Sequence, residues 1–297
     1  MTATTAPAAR AGSFRVGDFE LNRIGYGAMH LAGPGVFGPP RDRAAAIEVL
    51  RTAVELGVNH IDTADFYGPH VTNEIIREAL SPYGDRVTIV TKVGAVRDDQ
   101  GGWVQARSPQ ALREQVHSNL RTLGTDVLDV VNLRVGGGHD GHSAVPGTLA
   151  PQFEALAELR QQGLIRHLGV STVDVGQLAE AQTIAPVVCV QNFYNIARRE
   201  DAPVLAATAA QGIAYVPYFP LGGFSPLQSD TLESVAKRLD ATPAAVAQAW
   251  LLQRSPNMLL IPGTSSVAHL RENIAGAALT LPPDAIADLD AIQAGQP

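Results

Sequence analysis

Cysteine is almost missing from this sequence. Cys189 is the single one in 297 residues, so no intrachain disulfide can form and no zinc site can be assembled from thiolates. That economy suits a reducing cytoplasm. Aromatic residues are scarce too, at 5%, so the core has to be built from Ala, Val, Leu and Ile, a composition suited to buried parallel strands. Charged residues make up only 17%, the net charge is −7, and no run of Lys or Arg occurs, which argues against a nucleic-acid or anionic-membrane surface. A small molecule is the expected partner, and a monomer is enough to bind one. No apolar stretch approaches the roughly 20 residues of a membrane span. The start, rich in Ala and Thr with a single Arg10, lacks the apolar core of a secretion signal. Residues 1–13 read as a disordered tail and residues 14–297 as one domain, because α/β barrels of this length fold around one core.

What is present is alternation. Phe14-Arg15-Val16 and Phe19-Glu20-Leu21 flank Gly17-Asp18, a short hairpin able to plug the bottom of a barrel. From Ile24 onward short apolar runs alternate with longer segments of helical period, the pattern of βα units around a parallel sheet. Eight strands are expected, at Ile24–Ala28, Asn59–Asp62, Val87–Lys92, Val127–Leu133, His167–Val170, Val187–Gln191, Ala214–Pro217 and Met258–Pro262. Thr242-Pro243 caps a helix over Ala244–Gln253, Gly57, Gly163 and Gly212 stand where helices must stop, and an extra helix follows at about Pro283–Ile292. A (β/α)8 TIM barrel with an N-terminal hairpin and a C-terminal extra helix accounts for the whole. The competing doubly wound sheet wants a glycine fingerprint in the first turn, and Gly25-Tyr26-Gly27-Ala28-Met29-His30 lacks its third glycine.

In an α/β barrel the chemistry sits at the C-terminal ends of the strands. Strand two ends in Asp62, with Tyr67 one loop turn beyond, and strand three ends in Lys92. An ammonium favours the phenolate and so lowers the high pKa of a tyrosine, bringing it nearer to what general acid catalysis wants. Asp62 would keep Lys92 charged and oriented. Singly, each has a bland explanation as turn residue, solvated charge or packing ring. Jointly, at matching strand ends, they suit protonation of a carbonyl oxygen.

The run Gly57–Gly68 with Asn73-Glu74, together with Val90-Thr91-Lys92, resembles the aldo-keto reductase signature, and the similarity spans about Phe14 to Leu289. The resemblance implies an NADPH-dependent carbonyl reductase in which Tyr67 donates the proton, Lys92 activates it and Asp62 partners the lysine. The family's histidine at the end of strand four is absent. Arg134 occupies that position with Asn132 on the same side of the strand, and either is a candidate to orient the carbonyl through fixed hydrogen bonds.

For the cofactor the resemblance implies Gly27, Ala28 and Met29 after strand one, Ser171 and Gln191 at the nicotinamide carboxamide, and Tyr218 stacked on the ring, followed by Phe219, Pro220 and Leu221. Thr172 stands where the family often has an asparagine. The adenosine phosphate site would be Gly263, Thr264, Ser265 and Ser266 with His269, Arg271, Glu272 and Asn273, where a serine-rich loop enters a helix. Substrate contacts fall to the rim, at His30, Trp103 and the glycine-rich loop 136–142. The His139-Asp140-Gly141-His142 cluster in that loop reads as solvated rather than metal-binding. Asp129–Arg134, Gln191–Ala197 and Phe219–Phe224 resemble the bacterial pyridoxal reductases within the family, which implies reduction of pyridoxal to pyridoxine. Two other readings stay open. One is a broad carbonyl reductase for xenobiotic aldehydes. The other is a slow, NADPH-binding regulatory subunit like the potassium-channel β subunits, which the missing histidine motivates.

Overall fold

The computed structural model describes residues 6–137, 141–222 and 229–292. Strands β1 (Ser13–Val16) and β2 (Phe19–Asn22) form the hairpin. The main sheet contains β3 (Tyr26–Gly27), β4 (His60–Asp62), β5 (Thr88–Val93), β8 (Leu128–Arg134), β9 (Ile165–Ser171), β10 (Val187–Gln191) and β11 (Ala214–Tyr215), all parallel. A small ribbon, β6 (Ala95–Arg97) and β7 (Trp103–Gln105), stands on the rim. The helices are α1 (Arg43–Glu55), α2 (Val71–Leu80), α3 (Pro109–Leu123), α4 (Ala150–Gln161), α5 (Val175–Ile184), α6 (Ala202–Gln211), α7 (Asp230–Arg238), α8 (Pro243–Arg254), α9 (Val267–Gly276) and α10 (Pro283–Asp290). Among the described residues, no helix is long and apolar enough to cross a membrane.

The eighth barrel strand is present as two bridges rather than a ladder. Met258 pairs with Tyr215 and Leu260 with Ile24, and both pairings are parallel. The hydrogen bonds are nevertheless in place, from Leu259 N to Tyr215 O at 3.0 Å, Leu260 N to Arg23 O at 2.8 Å and Gly25 N to Leu260 O at 2.7 Å. They join the two edges of the seven-stranded sheet and close the barrel. Pro262 has no N–H to extend the pairing, which is why the strand ends short of the expected Met258–Pro262.

Outward-facing strand residues such as Ile61, Ile89, Val131 and Tyr215 pack with the helices in the main core. At the bottom, Val16 and Leu21 of the hairpin join Cys189, Ala214, Val216, Leu259 and Ile261 in a second cluster, and Asp18 at the hairpin turn bonds to His167. The hairpin is the floor plug. The expectation of a disordered tail over residues 1–13 needs correction from residue 6 onward. Pro7–Ala11 form a 3-10 turn, Ala8 N donates to Leu56 O at 2.9 Å, and Ala8 is 0% exposed. Small alanine side chains give no periodic signal, yet they fit closely over the end of α1. Residues 1–5 lie outside the described residues.

Candidate active site

Parallel register brings the expected groups to one rim. Asp62 pairs with Val90 across β4 and β5, Lys92 with Asn132, and Arg134 with Ser171. Because side chains alternate, Asp62, Lys92, Asn132, Arg134, Ser171 and Gln191 all face the barrel interior. Lys92 Nζ donates to Asp62 Oδ1 at 2.6 Å and to Thr63 O at 3.0 Å, and it lies 5.2 Å from the centre of the Tyr67 ring. Asp62 Oδ2 accepts from Gln191 Nε2 at 2.7 Å. All four side chains are buried.

A cleft of about 410 Å³ opens above them. It is lined by Tyr67, Lys92, Asp62, Gln191, Ser171, Tyr218, Phe219, Pro220 and Leu221, by Gly27, Met29, His30 and Gly263, and by Trp103 and Arg134. Ala28 turns instead into the core, at 0% exposure. Of the two candidates on strand β8, Arg134 reaches the cleft and Asn132 does not. Asn132 lies one layer below at 0% exposure, where Gly169 leaves room for it: a Cβ there would come within 2.0 Å of Asn132 Oδ1. His60 shares this under-layer, burial pushes its imidazole down to about 4, and neither of its ring nitrogens has a partner among the described residues.

The phenol differs from expectation. Burial raises the Tyr67 pKa above its ordinary 10.0, and the nearby Lys92 ammonium opposes that rise without overcoming it. Desolvation likewise works against the Lys92 ammonium, but Asp62 and Tyr67 outweigh it and hold the lysine charged. The resting state is therefore a protonated phenol beside a fixed cation. Such a group is able to give a proton, and an ammonium beside it stabilises a phenolate.

The donor set suits a nicotinamide dinucleotide. With Nε2 spent on Asp62, Gln191 has Oε1 buried and without a partner among the described residues, an acceptor for a carboxamide N–H. Tyr218 stacks at 20° on Phe193 behind it. Near the strand-eight turn, Ser266 caps α9, and Thr264 Oγ1 accepts from Ser266 N at 3.1 Å, leaving Ser265 exposed. His269 and Glu272 are exposed as well. Asn273 is buried and accepts from Gln248 at 2.9 Å, which ties α9 to α8. Arg271 is a correction. It lines a separate groove with Pro7, Arg10 and Leu56, because two residues along a helix turn a side chain to the opposite face from His269.

Sequence reasoning missed the support behind Ser171. Asn192 Oδ1 accepts from Thr172 N at 2.7 Å and from Val173 N at 3.2 Å, and its Nδ2 donates to Asp201 Oδ2 at 2.9 Å. Asp201 also accepts from the Tyr215 hydroxyl at 2.5 Å. This brace holds Thr172 at φ 59°, a conformation that strains a β-branched residue. Burial pushes Asp201 up to about 6 from an ordinary 3.8, so the folded protein binds that proton more tightly than the unfolded chain. The resulting stability is complete below pH 4 and is lost as pH rises through 6, by on the order of 1–3 kcal/mol. Urea unfolding across this range should show the fall in the wild type and a flatter profile for Asp201→Asn. Parallel profiles would exclude Asp201 as its source.

The rim also has a clasp not visible in the sequence. Arg97 on β6 donates to Val36 O at 2.6 Å, Gly35 O at 3.0 Å and Gly101 O at 2.6 Å, with its guanidinium 4.2 Å from the Trp103 ring centre and 5.4 Å from that of Phe37. Phe66 lines the cleft beside it, 5.5 Å from Trp103 and edge-on. His142, from the glycine-rich loop, packs against Phe193, Tyr218 and Phe219. His139 and Asp140 lie outside the described residues.

The model of the aldo/keto reductase family matches residues 23–294. The chain belongs to that family. This aldo/keto reductase is 62% identical over 280 residues to pyridoxine 4-dehydrogenase of Escherichia coli (strain K12), covering 94% of this chain and 98% of the relative. An uncharacterised oxidoreductase of Schizosaccharomyces pombe is 41% identical, with 95% and 90% covered. Among solved structures, a thermostable aldo-keto reductase in complex with epalrestat superposes with a TM-score of 0.78 at 31% identity, covering 94% of this chain and 99% of that one. An aldo-keto reductase from Klebsiella pneumoniae in complex with NADPH gives 0.75 at 25% identity, with 94% and 93% covered.

Proposed function

We propose that this aldo/keto reductase interconverts pyridoxal and pyridoxine, reducing the aldehyde with NADPH. The observation that carries the reading is the buried Asp62–Lys92 pair at 2.6 Å set beside Tyr67 at the floor of an aromatic-lined cleft. The 62% identity to pyridoxine 4-dehydrogenase supports the substrate. NADPH, when bound, supplies hydride to the carbonyl carbon. Tyr67 gives its hydroxyl proton to the carbonyl oxygen and Lys92 stabilises the phenolate that results, which then regains a proton from water. Asp62, fixed by Gln191, keeps Lys92 charged and aimed. Ser171 and Gln191 would hold the carboxamide and Tyr218 the ring face, while Ser265, Ser266 and His269 would meet the adenosine phosphate. With its single thiol buried and pushed up to about 12, the protein suits a reducing cytoplasm.

The test follows NADPH absorbance with pyridoxal and a panel of unrelated aldehydes. Faster turnover of pyridoxal than of the panel is expected, with NADH a poorer donor. Reduction of the panel without pyridoxal would favour the broad carbonyl reductase instead, and tight NADPH binding without turnover of any aldehyde would favour the regulatory reading.

A further inference from the structure

We propose that Arg134 binds an oxyanion on the ring carbon ortho to the reacting carbonyl, so that the site selects aromatic aldehydes carrying an ortho phenolate. The inference rests on the pyridoxal reading above and goes beyond it by assigning the contact that chooses the substrate.

Among the described residues, the cleft is lined by one lysine and one arginine, Lys92 and Arg134, and they differ. Lys92 is neutralised by Asp62 at 2.6 Å. Arg134 has only backbone carbonyls for acceptors, Gly141 O at 2.8 Å and Gly136 O at 3.5 Å, and no carboxylate within ion-pair distance among the described residues. Its side chain is half-buried, and a second guanidinium, Arg107, lies close enough to feel its charge. Arg107, held by Val135 O and Gln105 Oε1, adds like charge rather than compensation. A partly desolvated guanidinium without an anion is costly to hold, and an anionic ligand relieves that cost.

The position of the charge defines where the anion must be. Arg134 lines the same cleft as the Tyr67 phenol and stands two residues above Asn132, the register partner of Lys92. Tyr67 already supplies the proton at that oxygen. A guanidinium presents several donors in a fixed fork, so it can serve a second oxygen immediately beside the first, which an imidazole cannot. Trp103, 47% exposed and edge-on to both Phe66 and Tyr67, offers an apolar ring surface for a flat substrate at the same rim. Pyridoxal has this pattern: the ring carbon ortho to the one that bears the aldehyde carries a hydroxyl made acidic by the electron-poor pyridine ring, so an oxyanion lies beside the carbonyl.

The experiment compares kcat/KM for pyridoxal and for its 3-O-methyl ether, which keeps the aldehyde and the ring and loses the charge. In the wild type pyridoxal should be preferred at least about tenfold, the size of one charge-assisted hydrogen bond. In Arg134→Met that ratio should fall to near one, chiefly through KM for pyridoxal. A wild type that reduces both aldehydes equally well overturns the proposal and leaves carbonyl reduction intact, and this comparison needs no variant. A variant that slows both in proportion also overturns it, because Arg134 would then act on the carbonyl oxygen common to the two. A wild type that reduces neither, while accepting other aldehydes, overturns the pyridoxal reading and this inference with it.

Discussion

Replacing Tyr67 by phenylalanine is expected to lower kcat for aldehyde reduction by about 10²–10⁴-fold, the range of a positioned general acid. The substitution removes one hydroxyl from a buried ring that keeps its edge-on contacts with Phe66 at 5.3 Å and Trp103 at 6.5 Å. Folding and cofactor affinity should therefore change little. The specific loss follows from the proton inventory of the cleft. Lys92 spends two of its donors on Asp62 and Thr63 and the third faces Tyr67. Held in this way, Lys92 is not free to deliver a proton in the tyrosine's place. Steady-state kinetics with cofactor fluorescence titration would test this, and turnover within threefold of the wild type would remove Tyr67 from the mechanism.

A second large effect is expected from Lys92→Met. The buried Asp62 carboxylate would keep only the Gln191 amide, and stranding a buried charge typically costs about 3–5 kcal/mol. Activity should fall together with stability. The double variant Asp62→Asn, Lys92→Met should unfold later in urea than Lys92→Met alone, since it removes the stranded charge, but it should regain no activity. This split separates the pair's structural part from its chemical part. Equal stability of the single and double variants would show that Asp62 is solvated well enough to stand by itself.

The groups fixed by strand geometry were the legible ones. Asp62, Lys92 and Arg134 end strands whose apolar runs are plain in the sequence, and alternation settles which way they face. The hairpin plug was legible for the same reason. What stayed hidden depends on contacts distant in sequence. Asn192 and Asp201 brace Thr172 across β9, β10 and α6, and no spacing rule relates them. The rise in the Tyr67 pKa comes from how closely the rim shuts out water, whereas the sequence displays only the opposing lysine. Arg271 could be excluded from the phosphate loop only once the helix phase was fixed. The turn at Pro7–Ala11 is written in alanines, which carry little pattern at all.

The Arg97 clasp has a mechanical meaning. One side chain joins the loop at Gly35–Phe37 to the ribbon bearing Trp103, segments more than sixty residues apart along the chain. Its bonds to three carbonyl oxygens and its place between two rings make the joint stiff. The two segments are thus tied to each other, and moving either one alone must break these bonds. The wall of the entrance beside Trp103 is therefore stiffened by an arginine that does not itself line the cleft.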